Sequence, residues 1–236
     1  GDAVDRLLRS DLQQSTNGDL KRLLEFTDTE YAEIDAYCKQ RGIEWFTSCW
    51  DAGSIDRMEK FNPPCHKIAS ACNEDDELML RARATGKPII LSTGMTDMEG
   101  VMKAVDILGA GNLVILHCTS VYPKGAESNL DILKLINLRG IDTLQEEFEV
   151  PVGFSSHDSG IQPTYAAVAR GAVMVEKHIT LERGMWGSDQ GSSVEPSGFI
   201  HLCGMIRQLP SVLGDGKITI YPAEEEVAKK LRRVRR

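Results

Sequence analysis

Val150-Pro-Val-Gly-Phe-Ser-Ser-His157 and Val175-Glu-Lys-His178-Ile-Thr180 are two β-like runs, each ending at or near a histidine, with a helix-like segment between them. A Gly/Ser/Asp-rich loop follows, Trp186-Gly-Ser-Asp189-Gln-Gly-Ser-Ser-Val-Glu-Pro196. The same beat recurs upstream. Ile43–Cys49, His66–Ser70, Pro88–Ser92, Leu113–Cys118, Val150–Ser155 and Val173–Thr180 have strand character, and several are nearly all apolar, as strands buried on both faces are. Between them lie helix-like stretches: Ser54–Lys60, Glu74–Thr85, Met98–Leu108, Leu130–Leu138 with a continuation toward Glu147, and Pro163–Arg170. Gly86, Gly109 and Gly171 stand where helix C-terminal caps belong.

Strands alternating with helices predict a parallel sheet covered by helices. The polar residues gather at the strands' C-terminal ends: Ser48, Ser70, Ser92-Thr93, Thr119-Ser120, Ser155 to His157 and His178 to Thr180. A β/α barrel places its site at that end of every strand, whereas a doubly wound sheet concentrates ligands at one switch point. The expectation is therefore α/β, a (β/α)8 TIM-type barrel. About six βα units are visible against the eight of a closed barrel, so the fold is expected to be incomplete at the N-terminus.

The flanks are plainer. Residues 1–27 are helix-prone in patches, with Gln13 to Gly18 loop-like, and Asp28-Thr-Glu leads into a helix ending near Arg41 at Gly42. A helix over Ser197–Gln208, a Gly-Asp-Gly turn at 214–216 and a charged helix from Ala223 close the chain. Residues 1–236 are expected to form one barrel domain, with 209–236 a charged helical tail.

A formal charge of -8 and the lack of a basic face argue against nucleic-acid binding, and Lys229–Arg236 reads as a solvated helix end. The six cysteines have no paired spacing for zinc or a disulfide framework. Cys49 and Cys118 fit as small buried thiols. With no signal peptide or membrane-length apolar run, a reducing cytoplasm and no membrane partner are expected.

Three constellations carry chemistry. Strand parity places Gly153, Ser155 and His157 on one face, and Glu176, His178 and Thr180 on one face of their own strand. If both faces point inward, His157 and His178 lie side by side. Two neutral imidazoles suit a divalent metal with positions open for water and substrate; they also suit a core in which neighbouring hydroxyls satisfy them. Lys67, Ser70, Ser92, Ser120 and Ser155 form a second set. One ammonium and several hydroxyls can hold a phosphate, although strand ends often carry small polar residues without a ligand. The third is the 186–193 loop, where Asp189 could bind sugar hydroxyls or simply belong to a surface loop.

In order, these stretches resemble the sialic acid synthase family, N-acetylneuraminate synthase and its nonulosonic acid relatives. The resemblance rests on Phe46-Thr-Ser-Cys-Trp-Asp51, Lys67-Ile-Ala-Ser70, Lys87-Pro-Ile-Ile-Leu-Ser-Thr-Gly-Met95, Leu116-His-Cys-Thr-Ser-Val-Tyr-Pro123, Gly153-Phe-Ser-Ser-His157, Glu176-Lys-His-Ile-Thr180 and Gly187-Ser-Asp-Gln190. It implies a metal-dependent transferase that condenses phosphoenolpyruvate with an N-acylated amino sugar, such as N-acetylmannosamine, and releases phosphate. It implies Mn or Mg on His157 and His178, and phosphoenolpyruvate on Lys67, Ser70, Ser92, Ser120, Ser155 and Ser48. Glu176 would be a carboxylate near the reacting centre, and Tyr122 and Asp189 would contact the sugar.

The match has departures. Ala71-Cys72 stands where many members have Gly-Glu, Ser120 replaces an Asn of some members, and Ser48 a common Thr. The family's first two strands and its C-terminal antifreeze-like domain have no counterpart here, which leaves a homodimer of the family's kind an open question. Two other readings stay in view: a catalytically impaired barrel that binds ligand or serves as a partner subunit, and a synthase for a phosphorylated acceptor. The lack of a second Arg/Lys cluster counts against the latter.

Overall fold

The computed structural model describes residues 17–122, 129–185 and 189–234. The sequence before 17, the 123–128 stretch holding the end of the Tyr-Pro motif, and the loop residues 186–188 lie outside the described residues. The elements in order are α1 (Asn17–Leu24), α2 (Asp28–Arg41), α3 (Ala52–Glu59), β1 (His66–Ile68), α4 (Asp76–Ala84), β2 (Ile89–Ser92), α5 (Met98–Leu108) and β3 (Leu113–Cys118). There follow α6 (Asn129–Leu135), α7 (Gly140–Phe148), β4 (Val152–Ser156), α8 (Gln162–Ala169), β5 (Val175–Lys177), α9 (Pro196–Leu213) and α10 (Pro222–Leu231).

The five strands form one sheet in the order β1-β2-β3-β4-β5, and β1 to β2, β3 to β4 and β4 to β5 are parallel. An order that runs straight through the sequence is that of a β/α barrel, because a doubly wound sheet reverses at its switch point. Ile43–Cys49, expected as a sixth strand, makes only a bridge between Ser48 and Lys67. It lies beside β1, and among the described residues no strand pairs with its other side, so a ladder has nothing to propagate along.

Two compact units divide the chain, Gly1–Ser92 with Thr96–Val114, and Thr93–Met95 with Ile115–Arg236. In the first unit the starts of α2, α3, α4 and α5 are fixed by side chains. Thr27 and Glu30 form a capping box ahead of α2, one residue earlier than Asp28-Thr-Glu implies. Asp51, Asp75 and Asp97 accept from the backbone N–H of Ser54, Leu78 and Gly100 at the starts of α3, α4 and α5. The helices then bury one face: Leu78, Met79 and Ala82 on α4, and Val101, Ala104 and Leu108 on α5. With Ile68, Ile89 and Leu91 of the strands these make the core, each buried Val, Leu, Ile or Met contributing about 1.5–3 kcal/mol.

In the second unit the core is Ile115, Leu116, Ile141, Val152, Phe154 and Ala167. The single helix read from Leu130 toward Glu147 is two, because Asn137 takes a left-handed backbone (φ 48°) between α6 and α7. Among the described residues no helix is long and apolar enough to cross a membrane.

Gly153 on β4 is the tightest point of this unit. A Cβ there would lie 2.5 Å from the Met174 carbonyl oxygen and 2.6 Å from Leu116 Cδ2. Only glycine lets β3 and the approach to β5 close on β4 from both sides. Gly153→Ala is expected to lower stability by about 1–3 kcal/mol, as overpacking does, read as a fall in the urea midpoint at unchanged m-value.

Candidate active site

In the first unit the site residues start from the register of β1 on β2, which sets Lys67 opposite Ile90 and Ile68 opposite Leu91. The Lys67 side chain is drawn into the core, the residue only 3% exposed, and its Nζ donates to Ser92 Oγ at 2.8 Å and to the Ile68 carbonyl at 3.1 Å. Burying an ammonium is costly unless it is well hydrogen-bonded, and these two acceptors offset part of that cost. The structure thus brings Lys67 and Ser92 together, with Ser48 bridged to Lys67 through its backbone. Ser70 opens a 3-10 turn, Ser70–Cys72, that follows β1, and is half-buried. Ser48 is exposed and lines a cavity of about 490 Å³ with Thr47, Trp50, Asp51, Ser54 and Arg57 among others. The sequence reading passed over Asn73, a buried amide that donates to the Ser92 carbonyl and steadies the end of β2.

In the second unit β4 and β5 pair with Ser155 opposite Glu176 and Ser156 opposite Lys177. The next inward pair is His157 and His178, and their rings lie 5.2 Å apart between centroids at 54°. Ser155 Oγ donates to Glu176 Oε1 at 2.7 Å, holding the carboxylate across the strands. Past β5 the chain is held by Val194, whose N–H donates to the His178 carbonyl at 2.8 Å. Tyr122 stands edge-on to both imidazoles, 4.6 Å from the His157 ring and 5.9 Å from the His178 ring. Asp189 Oδ2 lies 4.0 Å from His178 Nδ1. Five of the sequence-predicted residues, Ser155, His157, Glu176, His178 and Tyr122, therefore meet, with Asp189 at their border. Ser120 joins them through Cys118, whose Sγ is 3.6 Å from both Ser120 Oγ and His157 Nδ1. Cys118 is the buried thiol the sequence leads one to expect, and it also touches a candidate ligand. Its spacing of two from Ser120, just past the end of β3, is the signal that could have found it.

The electrostatics favour neutral, electron-donating groups. Burial, reinforced by the neighbouring His157, pushes His178 below the usual imidazole value, against the pull of Asp189 and Glu176. Burial followed by the Asp189 charge raises the Tyr122 phenol to about 12. Two imidazoles facing one another, one of them held neutral, fit a divalent metal with open positions. Among the described residues no group of three or more His, Cys, Asp and Glu side chains is gathered as a closed metal site would need. The fit is to a two-histidine site completed by water or substrate.

Comparison with known proteins defines the class. A family model described as the NeuB family matches residues 5–218. The N-acetylneuraminic acid synthetase of Leptospira borgpetersenii serovar Hardjo-bovis, solved with citrate, superposes with a TM-score of 0.75 at 30% identity, over 89% of this chain and 73% of that one. The fold is thus α/β, the parallel strands of an incomplete TIM-type barrel. The chain belongs to the NeuB family. It is 36% identical over 218 residues to an uncharacterized protein of Methanocaldococcus jannaschii, covering 91% of this chain and 63% of that protein. It is 32% identical over 219 residues to the N-acetylneuraminate-9-phosphate synthase of Homo sapiens, covering 92% of this chain and 59% of that enzyme. It therefore spans about three-fifths of the length of these curated relatives.

The raised Tyr122 phenol gives a direct test. Its folded value lies above the ordinary 10, so the neutral form is favoured, and the stability this contributes is present below pH 10 and lost as pH rises through about 12. In a difference titration at 295 nm against Tyr122→Phe, Tyr122 should show almost no phenolate at pH 10, where a free tyrosine is half-ionised.

Proposed function

We propose that this chain carries the condensing site of a nonulosonic acid synthase, joining phosphoenolpyruvate to an N-acylated amino sugar with release of phosphate. The observation that carries the reading is the facing pair His157 and His178, edge-on to Tyr122, in a chain of the NeuB family.

Lys67 and Ser92, already joined at 2.8 Å, supply an ammonium and a hydroxyl for the phosphate or carboxylate of phosphoenolpyruvate. Ser70, Ser48, Ser120 and Ser155 are assigned to the same substrate by their match to the family. Tyr122 keeps its proton and offers a donor to a sugar hydroxyl, and Asp189 offers an acceptor. His157 and His178 would hold a divalent metal, Mn or Mg, which supplies a Lewis acid to draw charge from the aldehyde oxygen of the open-chain sugar. In the reaction proposed, the C2–C3 π pair of phosphoenolpyruvate forms the new bond from C3 to the aldehyde carbon, and C2 is left electron-poor. The aldehyde C=O π pair passes to its oxygen, which takes a proton from solvent to become a hydroxyl. Water adds to C2, with the Glu176 carboxylate placed to take its proton and Ser155 holding that carboxylate in orientation. The C–O bond to phosphate then breaks as C2 becomes the ketone.

One departure favours a second reading, a barrel that binds ligand without turnover. Ala71-Cys72 replaces an acidic position common among relatives, and Cys72 is buried with its thiol raised by that burial.

The test is phosphate release by the full-length protein from phosphoenolpyruvate, with and without amino sugar and divalent metal. Turnover is expected only when all are present, and His178→Ala should lower it more than about 100-fold, since even outer-shell partners of a metal cost 10–100-fold. Lys67→Met should raise KM for phosphoenolpyruvate about 10- to 100-fold, the loss of one charge-assisted hydrogen bond. Tight binding of phosphoenolpyruvate by calorimetry without turnover would establish the second reading instead, and preference for a phosphorylated acceptor would change the substrate class.

A further inference from the structure

Ser156, Asp158 and Lys177 sit on β4, just beyond it and on β5, one position out of phase with the candidate ligands. Ser156 and Asp158 flank His157, and Lys177 precedes His178. Their side chains form a closed polar network on the opposite face from the histidines. Asp158 is 0% and the Lys177 side chain 4% exposed, with Nζ to Oδ1 at 3.1 Å. Lys177 Nζ also donates to Ser156 Oγ at 3.1 Å and to the Asp158 carbonyl. Ser156 donates to Asp158 Oδ1, and the Gly160 N–H donates to Oδ2 at 2.8 Å. The three protons of the ammonium thus have three acceptors, and both carboxylate oxygens are engaged.

Stability alone is a poor account of such a network. A well-packed apolar pair would join two strands as firmly as a fully buried ion pair, whose desolvation offsets much of its attraction. What the apolar pair lacks is direction. Hydrogen bonds with fixed geometry set how far Lys177 stands along β5 relative to Ser156 and Asp158 on the β4 side. Since successive side chains leave opposite faces of a strand, fixing those three residues fixes the Cβ positions of His157 and His178.

We propose that the Ser156–Asp158–Lys177 network is a positioning device for the two histidines, holding β4 and β5 in the register that makes them a metal-binding pair. The inference rests on the reading of His157 and His178 as metal ligands. The three residues touch neither metal nor substrate and act through the backbone they share with the ligands.

The test is Mn2+ binding by the full-length protein, followed by electron paramagnetic resonance, with the Co2+ visible spectrum as a reporter of coordination and thermal melting as a check on folding. The double substitution Asp158→Leu with Lys177→Met is expected to keep a wild-type melt while weakening Mn2+ binding about 10- to 100-fold, the range for outer-shell partners, and altering the Co2+ bands. Ser156→Ala, which removes one hydroxyl and is expected to fold, should move both readouts the same way by a smaller factor. If the double variant does not fold, Ser156→Ala decides. Wild-type affinity and an unchanged Co2+ spectrum in every variant that folds would overturn the proposal and leave the network a structural pair. A different failure would strike the parent reading: wild-type protein that does not bind Mn2+, or His157→Ala that binds it as wild type does, removes the metal site and this inference with it.

Discussion

The parallel register of β4 on β5 is the constraint on which the second unit depends. It sets Ser155 opposite Glu176 and Ser156 opposite Lys177, and by continuation His157 opposite His178. Side chains alternate along a strand, so this one alignment sorts the residues into an inner set and an outer set. The inner set is a carboxylate held by a serine and two imidazoles. The outer set is a buried ion pair with its serine. The glycine at 153 belongs to the same alignment, because neighbouring backbone passes where any larger residue would put its Cβ.

The first unit reaches a comparable end differently. Among its described residues no facing pair of histidines forms; a lysine is pulled inside and anchored by Ser92 and a backbone carbonyl. The surroundings are stiffened by the starts of α2 to α5, each closed by a Thr or Asp side chain that occupies otherwise orphan N–H groups. Fixing the helices fixes the short strands between them. The buried Lys67 ammonium is then held in one place, its geometry set by Ser92 and the Ile68 carbonyl.

Much of this was legible in the residues. Met98–Leu108 and Leu113–Cys118 form over the ranges their patterns indicate, because an amphipathic period and a run of apolar residues are local signals. The parity of His157 and His178 was readable for the same reason. What was not readable depends on neighbours. Ile43–Cys49 has strand composition but only one bridge, since strand formation requires a partner that composition does not name. The break between α6 and α7 turns on the left-handed conformation of Asn137, which helix propensity around it masks. Cys118 against His157, Asn73 against Ser92, and Asp158 against Lys177 are contacts between distant segments, set by register and not by any short motif.

The alternation along residues 152–158 also sets what changes this stretch can absorb. A substitution at one position alters one face and leaves the other standing. Adding or deleting a single residue would exchange the faces of this stretch, turning His157 away from His178 and Ser156 and Asp158 away from Lys177. Between Val152 and Asp158 the chain should therefore vary by replacement alone, and its length should be as fixed as the place of His157.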